Sequence, residues 1–181
     1  QSLIAAMKLR LSKPVEVVDL SPIAELRGIR VESDAVTIGA MTRHAEVAAS
    51  PEVTKAIPAL ASLAVGIGDR MVRNMGTCGG SVANNDPAAD YPAGCVALGA
   101  TIITNRRSIA ADDFFKGLYE TALEQGELIT AIRFPIPKRA SYMKFKNPAS
   151  RYAIVGVFIA DFGSSVRVAV TGAAGNIGYA A

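Results

Sequence analysis

The chain has 181 residues, half of them hydrophobic, and a formal net charge of +3. That length holds one large domain or two small ones. No apolar run approaches the ~18 residues of a membrane-spanning helix. The basic residues form short clusters (Lys8, Arg10 and Lys13; Lys138 and Arg139) without the aromatic interleaving of a nucleic-acid surface. The two cysteines, Cys78 and Cys95, make neither a disulfide framework nor a metal-ligand spacing. A cytoplasmic protein with free thiols is the expectation.

In chain order, residues 3–11 read as a helix or an extended run, broken at Pro14. Residues 15–20 read as a buried strand closed by Ser21 and Pro22. A short turn at 23–26 leads to a hairpin of strands 29–31 and 36–40, with Glu32, Ser33 and Asp34 at its tip. Thr42 is placed to cap a helix over 43–49, with Glu46 one residue too far for a strict capping box. Pro51 opens a further helical stretch that Pro58 punctuates. The apolar run 59–65 is a buried helix ended by Gly66 and Gly68.

Residues 92–100 form a helix or an apolar turn, and 101–104 a strand. Residues 108–110 turn through Asp112 into a short helix at Phe114 and Phe115. Residues 128–134 alternate as a strand closed by Pro135 and Pro137. Residues 142–146 form a strand that puts Lys144 and Lys146 on one face. The apolar run 153–161 is a strand or a buried helix, and 166–171 is a strand. This mixed order without a regular βα repeat predicts an α+β fold, with a lobe boundary at 135–141 and a weaker one near Met41.

Three glycine clusters compete for a functional role. The segment 76–90 packs Gly79 and Gly80, the hydroxyls of Thr77 and Ser81, two Asn and two Asp into fifteen positions. Adjacent glycines let main-chain N–H groups converge on a phosphate, and Asp90 can accept from sugar hydroxyls or a ring N–H. A tight Asx-rich surface turn is the alternative. Gly66 and Gly68 read as a helix end plus turn. Gly172, Gly175 and Gly178 follow a strand, like the nucleotide turn of malate dehydrogenases, but a dinucleotide βαβ unit needs roughly 30 residues. Lone His44 reads as a hydrogen-bonded helix residue rather than a catalyst. Asp112 and Asp113 read as first-turn helix charges. Cys78 reads as a small apolar replacement, with redox activity as the rival.

Several ordered segments carry a resemblance. They are residues 1–10; Val18, Asp19 and Leu20 with 25–29; 38–42; 67–74; the T-x-G-G-S motif Thr77 to Ser81 with Asp90 downstream; 110–115; and 126–130. Together they resemble the FAD-binding medium subunit of molybdenum hydroxylases, the carbon monoxide dehydrogenase / xanthine dehydrogenase flavoprotein family. The likeness runs through nearly the whole chain. It implies a two-lobed α+β FAD-binding domain over 1–137, of the PCMH / carbon monoxide dehydrogenase flavoprotein type. Its lobes are about 1–41 and 42–137, with the N-terminal part of the first lobe missing. Residues 138–181 are then the start of a C-terminal α/β domain.

The resemblance further implies that FAD lies between the lobes, its pyrophosphate held by main-chain N–H groups. Gln1, Ser2 and Leu3 would belong to one phosphate loop. Thr77, Cys78, Gly79, Gly80 and Ser81 would form the other. Asp90 would contact the ribityl or adenosine side. Ile67 and Ile129 would wall the rings. Lys144, with Lys146 as rival, would lie close to the isoalloxazine, and Tyr152 near its edge. Electrons would pass from a small [2Fe–2S] subunit through FAD to an external acceptor such as NAD, a quinone or oxygen. A large molybdopterin subunit would oxidise the substrate, and the assembly would be a dimer of heterotrimers. Cys78 departs from the family's usual apolar residue, and residues 175–179 also depart from its pattern. The alternatives are a structural or interaction subunit with an incomplete flavin site, or an NAD-binding fragment using the turn at Gly172.

Overall fold

The computed structural model describes residues 1–174 and the backbone of residues 178–180. Helix α1 (Ser2–Lys8) opens the chain and buries none of its residues. Residues 9–23 follow without regular structure. The strand expected at 15–20 does not form, and Val15, Val17 and Val18 stand exposed. An apolar run becomes a strand only beside a partner edge. None of the described strands pairs with this one, and Asp19 instead accepts from the Ser21 N–H at 2.8 Å and the Ser21 hydroxyl at 2.7 Å.

A single 3₁₀ turn (Ala24–Leu26) leads into the expected hairpin, β1 (Ile29–Val31) and β2 (Ala35–Gly39). Helix α2 (His44–Ala49) starts one residue later than expected. Glu46 therefore does occupy its third position and accepts the Arg43 N–H at 2.8 Å. Thr42 is not the cap; its hydroxyl donates to the Gly28 carbonyl and accepts the Gly28 N–H, both at 3.0 Å. Helix α3 (Pro51–Ala56) is capped by the Ser50 hydroxyl, and α4 (Pro58–Val65) is the expected buried helix, ended at Gly66.

Two helices occupy the segment expected as glycine turns. They are α5 (Arg70–Met75), capped by Asp69, and α6 (Cys78–Asn84), capped by Thr77. Helix α7 (Asp90–Ala97) begins two residues before the expected start, and all of it is buried. Strands β3 (Thr101–Thr104) and β4 (Ser108–Ala110) precede α8 (Ala111–Phe114), which is capped at Ala110 and not at Asp112. A small hairpin, β5 (Phe115–Gly117) and β6 (Glu120–Thr121), is followed by β7 (Ile129–Pro135). The last four strands are β8 (Arg139–Lys146), β9 (Ala153–Asp161), β10 (Val166–Thr171) and β11 (Gly178–Ala180).

The strands form a five-stranded antiparallel sheet, ordered β1-β2-β7-β3-β4, and a four-stranded antiparallel sheet, ordered β11-β10-β9-β8. Helices α4, α6 and α7 lie between them, with α6 against β2 and β7, α4 against β8, and α7 against β9 and β10. One apolar core runs through all three layers. The α+β expectation holds. The dinucleotide reading of the Gly172 turn does not: β10 and β11 pair antiparallel, Val168 opposite Ala180, whereas that fingerprint requires a parallel βαβ crossover. Gly175, Asn176 and Ile177 lie outside the described residues.

Candidate functional site

The glycine motif is a helix start whose backbone is already spoken for. The Cys78 N–H donates to the Thr42 carbonyl and the Gly79 N–H to the Ala40 carbonyl, both at 2.9 Å. The Gly80 N–H donates to the Thr77 hydroxyl at 3.2 Å, and the Ser81 N–H to the Thr77 carbonyl at 3.0 Å. The first two amides brace α6 against the turn after β2, and the last two close its own cap at Thr77. The glycines follow from the same closeness. A Cβ on Gly79 would stand 2.5 Å from the Ala40 Cβ, and one on Gly80 would stand 2.7 Å from the Thr77 hydroxyl oxygen. Helical glycine costs up to about 1 kcal/mol relative to alanine, so this approach is what it provides.

Cys78 lies off the wall of the neighbouring cavity. It is fully buried in the core with Cys95, Tyr91 and Val82. Burial pushes its thiol up, opposed only by the Tyr91 hydroxyl. A thiol held so firmly protonated is a poor nucleophile, so the core reading of Cys78 is the one its surroundings favour.

Asp90 begins α7 with its side chain 5% exposed, and Lys144 from β8 comes to it 8% exposed. The ammonium donates to Oδ1 at 2.9 Å and to Oδ2 at 3.0 Å, and also to the Gly66 carbonyl at 3.1 Å. The Tyr142 hydroxyl donates to Asp90 Oδ1 as well. Burial raises the Asp90 pKa, and the Lys144 charge pulls it back. Asp90 is therefore engaged by protein donors, and the Lys144 charge is committed to it. Lys146 is exposed one turn of the pleat away.

A cavity of about 410 Å³ opens beside this cluster. That volume lies within the usual range of small-molecule sites. Gln1, Ser2 and Leu3 line it from the start of α1, and Thr77, Gly80 and Ser81 from α6. Ile67, Val72, Asp90 and Tyr152 also line it, so the two segments expected as phosphate loops face one space. Ile129, Cys78, Gly79 and Lys144 are not on its wall. Ile129 is a buried residue of the five-stranded sheet. The turn that carries Tyr152 includes Arg151 in a left-handed conformation, φ 62°.

Sequence reasoning missed His44. It lines the cavity, and its Nδ1 is buried with no hydrogen-bond partner among the described residues. The expected hydrogen-bonded helix residue is thus a ring without a bond at that nitrogen. Burial, with neighbouring positive charge including Arg73, lowers its pKa to about 4. No signal in the local sequence marks this, because the partner surface comes from Gly76, thirty-two positions on. Among the described residues no group of His, Cys, Asp and Glu has the makings of a metal site, and no helix is long and apolar enough to cross a membrane.

Residues 1–137 match the family described as the FAD binding domain in molybdopterin dehydrogenase. The chain is 38% identical over 185 aligned positions to the carbon monoxide dehydrogenase medium chain of Hydrogenophaga pseudoflava, covering 96% of this chain and 64% of that one. It is 39% identical to the glyceraldehyde dehydrogenase medium chain of Sulfolobus acidocaldarius, covering 88% and 59%. It superposes on the solved quinoline 2-oxidoreductase of Pseudomonas putida 86 with a TM-score of 0.91 at 31% identity, covering 99% and 66%. The chain therefore spans somewhat less than two thirds of the length of these relatives. A fold matched over nearly all its residues, and a domain match over three quarters of them, leave one assignment: the chain belongs to the family of FAD-binding domains of molybdopterin dehydrogenases.

Proposed function

We propose that this chain binds FAD in the cavity between α1 and α6, as the flavoprotein component of a multi-subunit molybdenum hydroxylase. The observation that carries the reading is the meeting of residues 1–3 with Thr77, Gly80 and Ser81 around one cavity, although more than seventy positions separate them. The donor set suits a dinucleotide. Hydroxyls of Ser2, Thr77 and Ser81 would serve phosphate and sugar oxygens, while Leu3, Ile67 and Val72 offer apolar wall. When bound, the flavin supplies the redox chemistry; the chain's own residues bind, orient and shield it.

In this reading, 1–137 is the FAD-binding domain, in lobes of about 1–41 and 42–137, and 138–181 begins a C-terminal domain. Electrons arrive from a small [2Fe–2S] subunit and leave to an external acceptor. The organic substrate meets only a large molybdopterin subunit. A cytoplasmic dimer of heterotrimers is the assembly this implies. The relatives named above differ in the compound they act on, which agrees with specificity residing in another subunit.

A second reading has one observation in its favour. The four amides of the α6 motif are engaged within the fold, as they would be in an interaction subunit that holds no flavin. One titration separates the two. Purified chain is mixed with FAD, FMN or riboflavin, and flavin fluorescence and co-elution are followed. FAD retained at one equivalent, and released intact by acid, is the expected result. A chain that retains no FAD at tens of micromolar is the interaction subunit instead.

A further inference from the structure

His44 is the chain's single histidine, and its ring does no evident work within the fold. It is 5% exposed, yet its Nδ1 finds no hydrogen-bond partner among the described residues. An imidazole nitrogen left bare in this way is cheaper as an acceptor than as a donor. Its ring lies beside Tyr91, with ring centroids 5.4 Å apart.

The other nitrogen is the informative one. Nε2 faces Gly76, where a Cβ would stand 2.6 Å from it and 2.8 Å from Cδ2. Gly76 has an ordinary extended backbone, φ −65° and ψ 145°, which any residue adopts. Its glycine is therefore a matter of space: the main chain is left bare so that the imidazole can reach this place. The His44 N–H donates to the Gly76 carbonyl at 3.0 Å, fixing the two segments together. Both His44 and Gly76 lie on the cavity wall, beside Thr77 and Gly80. A neutral imidazole has one N–H. A buried donor without a partner is tolerated less well than a buried acceptor, so the proton belongs on Nε2 and Nδ1 is the bare acceptor. Arg73 does not compete for the ring; it donates to the Ile67 carbonyl at 2.9 Å and the Gly68 carbonyl at 3.2 Å.

We propose that His44, uncharged, donates a hydrogen bond from Nε2 to a phosphate or sugar oxygen of FAD in this cavity. The inference rests on the FAD reading above and adds a contact to it. A neutral donor suits the place. It recognises an oxygen without a charge that ordinary changes of pH would remove, and burial beside Arg73 keeps it in that form near neutrality.

Because there is one histidine, the imidazole ¹⁵N spectrum of the histidine-labelled chain holds one pair of ring signals. The spectrum is taken at pH 7 for the free chain and then with FAD, ADP or riboflavin, while flavin retention is followed on the same samples by co-elution. The expected result is a neutral ring throughout, with FAD shifting Nε2 and leaving Nδ1 nearly still. ADP reproducing the shift assigns the phosphate side, and riboflavin reproducing it assigns the ribityl side; either supports the contact. FAD retained with both nitrogens unmoved, or with the proton on Nδ1, overturns the contact and leaves the FAD reading standing. No FAD retained overturns both. As a second measurement, His44→Gln, which keeps an N–H in reach, is expected to hold FAD far better than His44→Leu, whose affinity falls by about tenfold. Equal affinities for the two variants would also reject it.

Discussion

The two segments that face the cavity are held in opposite ways. At α6, Cys78 and Gly79 give their amides to the turn after β2, Gly80 and Ser81 give theirs to the Thr77 cap, and Cys78, Gly79 and Val82 are buried. At α1, no residue is buried, and Leu3, Ile4 and Met7 are exposed. One wall of the site is built into the core, and the other rests on its surface. The lesson is that a shared site does not imply shared mechanics. Changes on the α6 side act through folding first, and changes on the α1 side act through binding first.

The largest effect is expected at Gly79. A valine there drives its Cβ into the Ala40 backbone, and overpacking of this kind costs about 3 kcal/mol or more. Urea denaturation should show a loss of that size, and an unchanged midpoint would mean that α6 is not locked as described. Next comes Lys144→Met. It leaves the buried Asp90 carboxylate without its cation, for a loss of about 3 kcal/mol at pH 7. A carboxylic acid whose folded pKa is raised, as burial raises Asp90, favours the fold when protonated. The variant should therefore regain stability as the pH falls below the raised pKa. Adding Asp90→Asn to it should restore part of the loss, and a strictly additive double mutant would show the two groups to be uncoupled.

A smaller effect belongs to Glu127, which does not line the cavity. Its carboxylate receives Arg107 at 3.0 Å, the Thr104 hydroxyl at 2.7 Å and the Glu124 N–H at 2.9 Å. Arg107, first among these partners, holds its pKa down at about 2 against an ordinary 4.5. Its contribution is complete above 4.5 and is lost as the pH falls through about 2. Thermal melts of Glu127→Gln should lack that part of the acid sensitivity; identical pH profiles would remove Glu127 as its source. The smallest effect on stability is expected for Leu3→Ser on α1, within about 0.5 kcal/mol, together with weaker FAD binding. A large loss of stability there would erase the contrast between the walls.

The sheets were legible because their strands alternate or run apolar between clear breakers. The β1–β2 hairpin, β3, β7 and β10 all stand where the pattern predicts them. Residues 15–20 show the limit: three valines and a leucine near one another look like a strand, but only a neighbouring edge makes one. The start of α6 shows the converse. Thr77 caps the helix, but the sequence shows only a hydroxyl in a glycine turn, because what justifies the two glycines is Ala40 and the turn after β2. For the site, the family motif pointed to residues 1–3, Thr77, Gly80, Ser81, Asp90 and Tyr152, all on the cavity wall. It also pointed to Cys78, Gly79, Ile129 and Lys144, which stand off it. Motif spacing records which residues travel together, not which way each side chain turns. His44 went unrecognised for the same reason, since its significance lies in the bare main chain at Gly76.

The family match ends at residue 137, but several of the ties that steady the loop before α7 come from beyond it. The Thr171 hydroxyl meets the Pro87 carbonyl at 2.8 Å and the Ala89 carbonyl at 2.7 Å, and the Gly172 N–H donates to Pro87 at 2.8 Å. Tyr142 and Lys144 secure Asp90 from the same side. A chain stopped at 137 would keep every strand of the five-stranded sheet and still lose all of these struts. The segment that evolution hands on under one description and the segment that can bear its own weight thus have different lengths, and a truncation designed on the first would be missing its buttress.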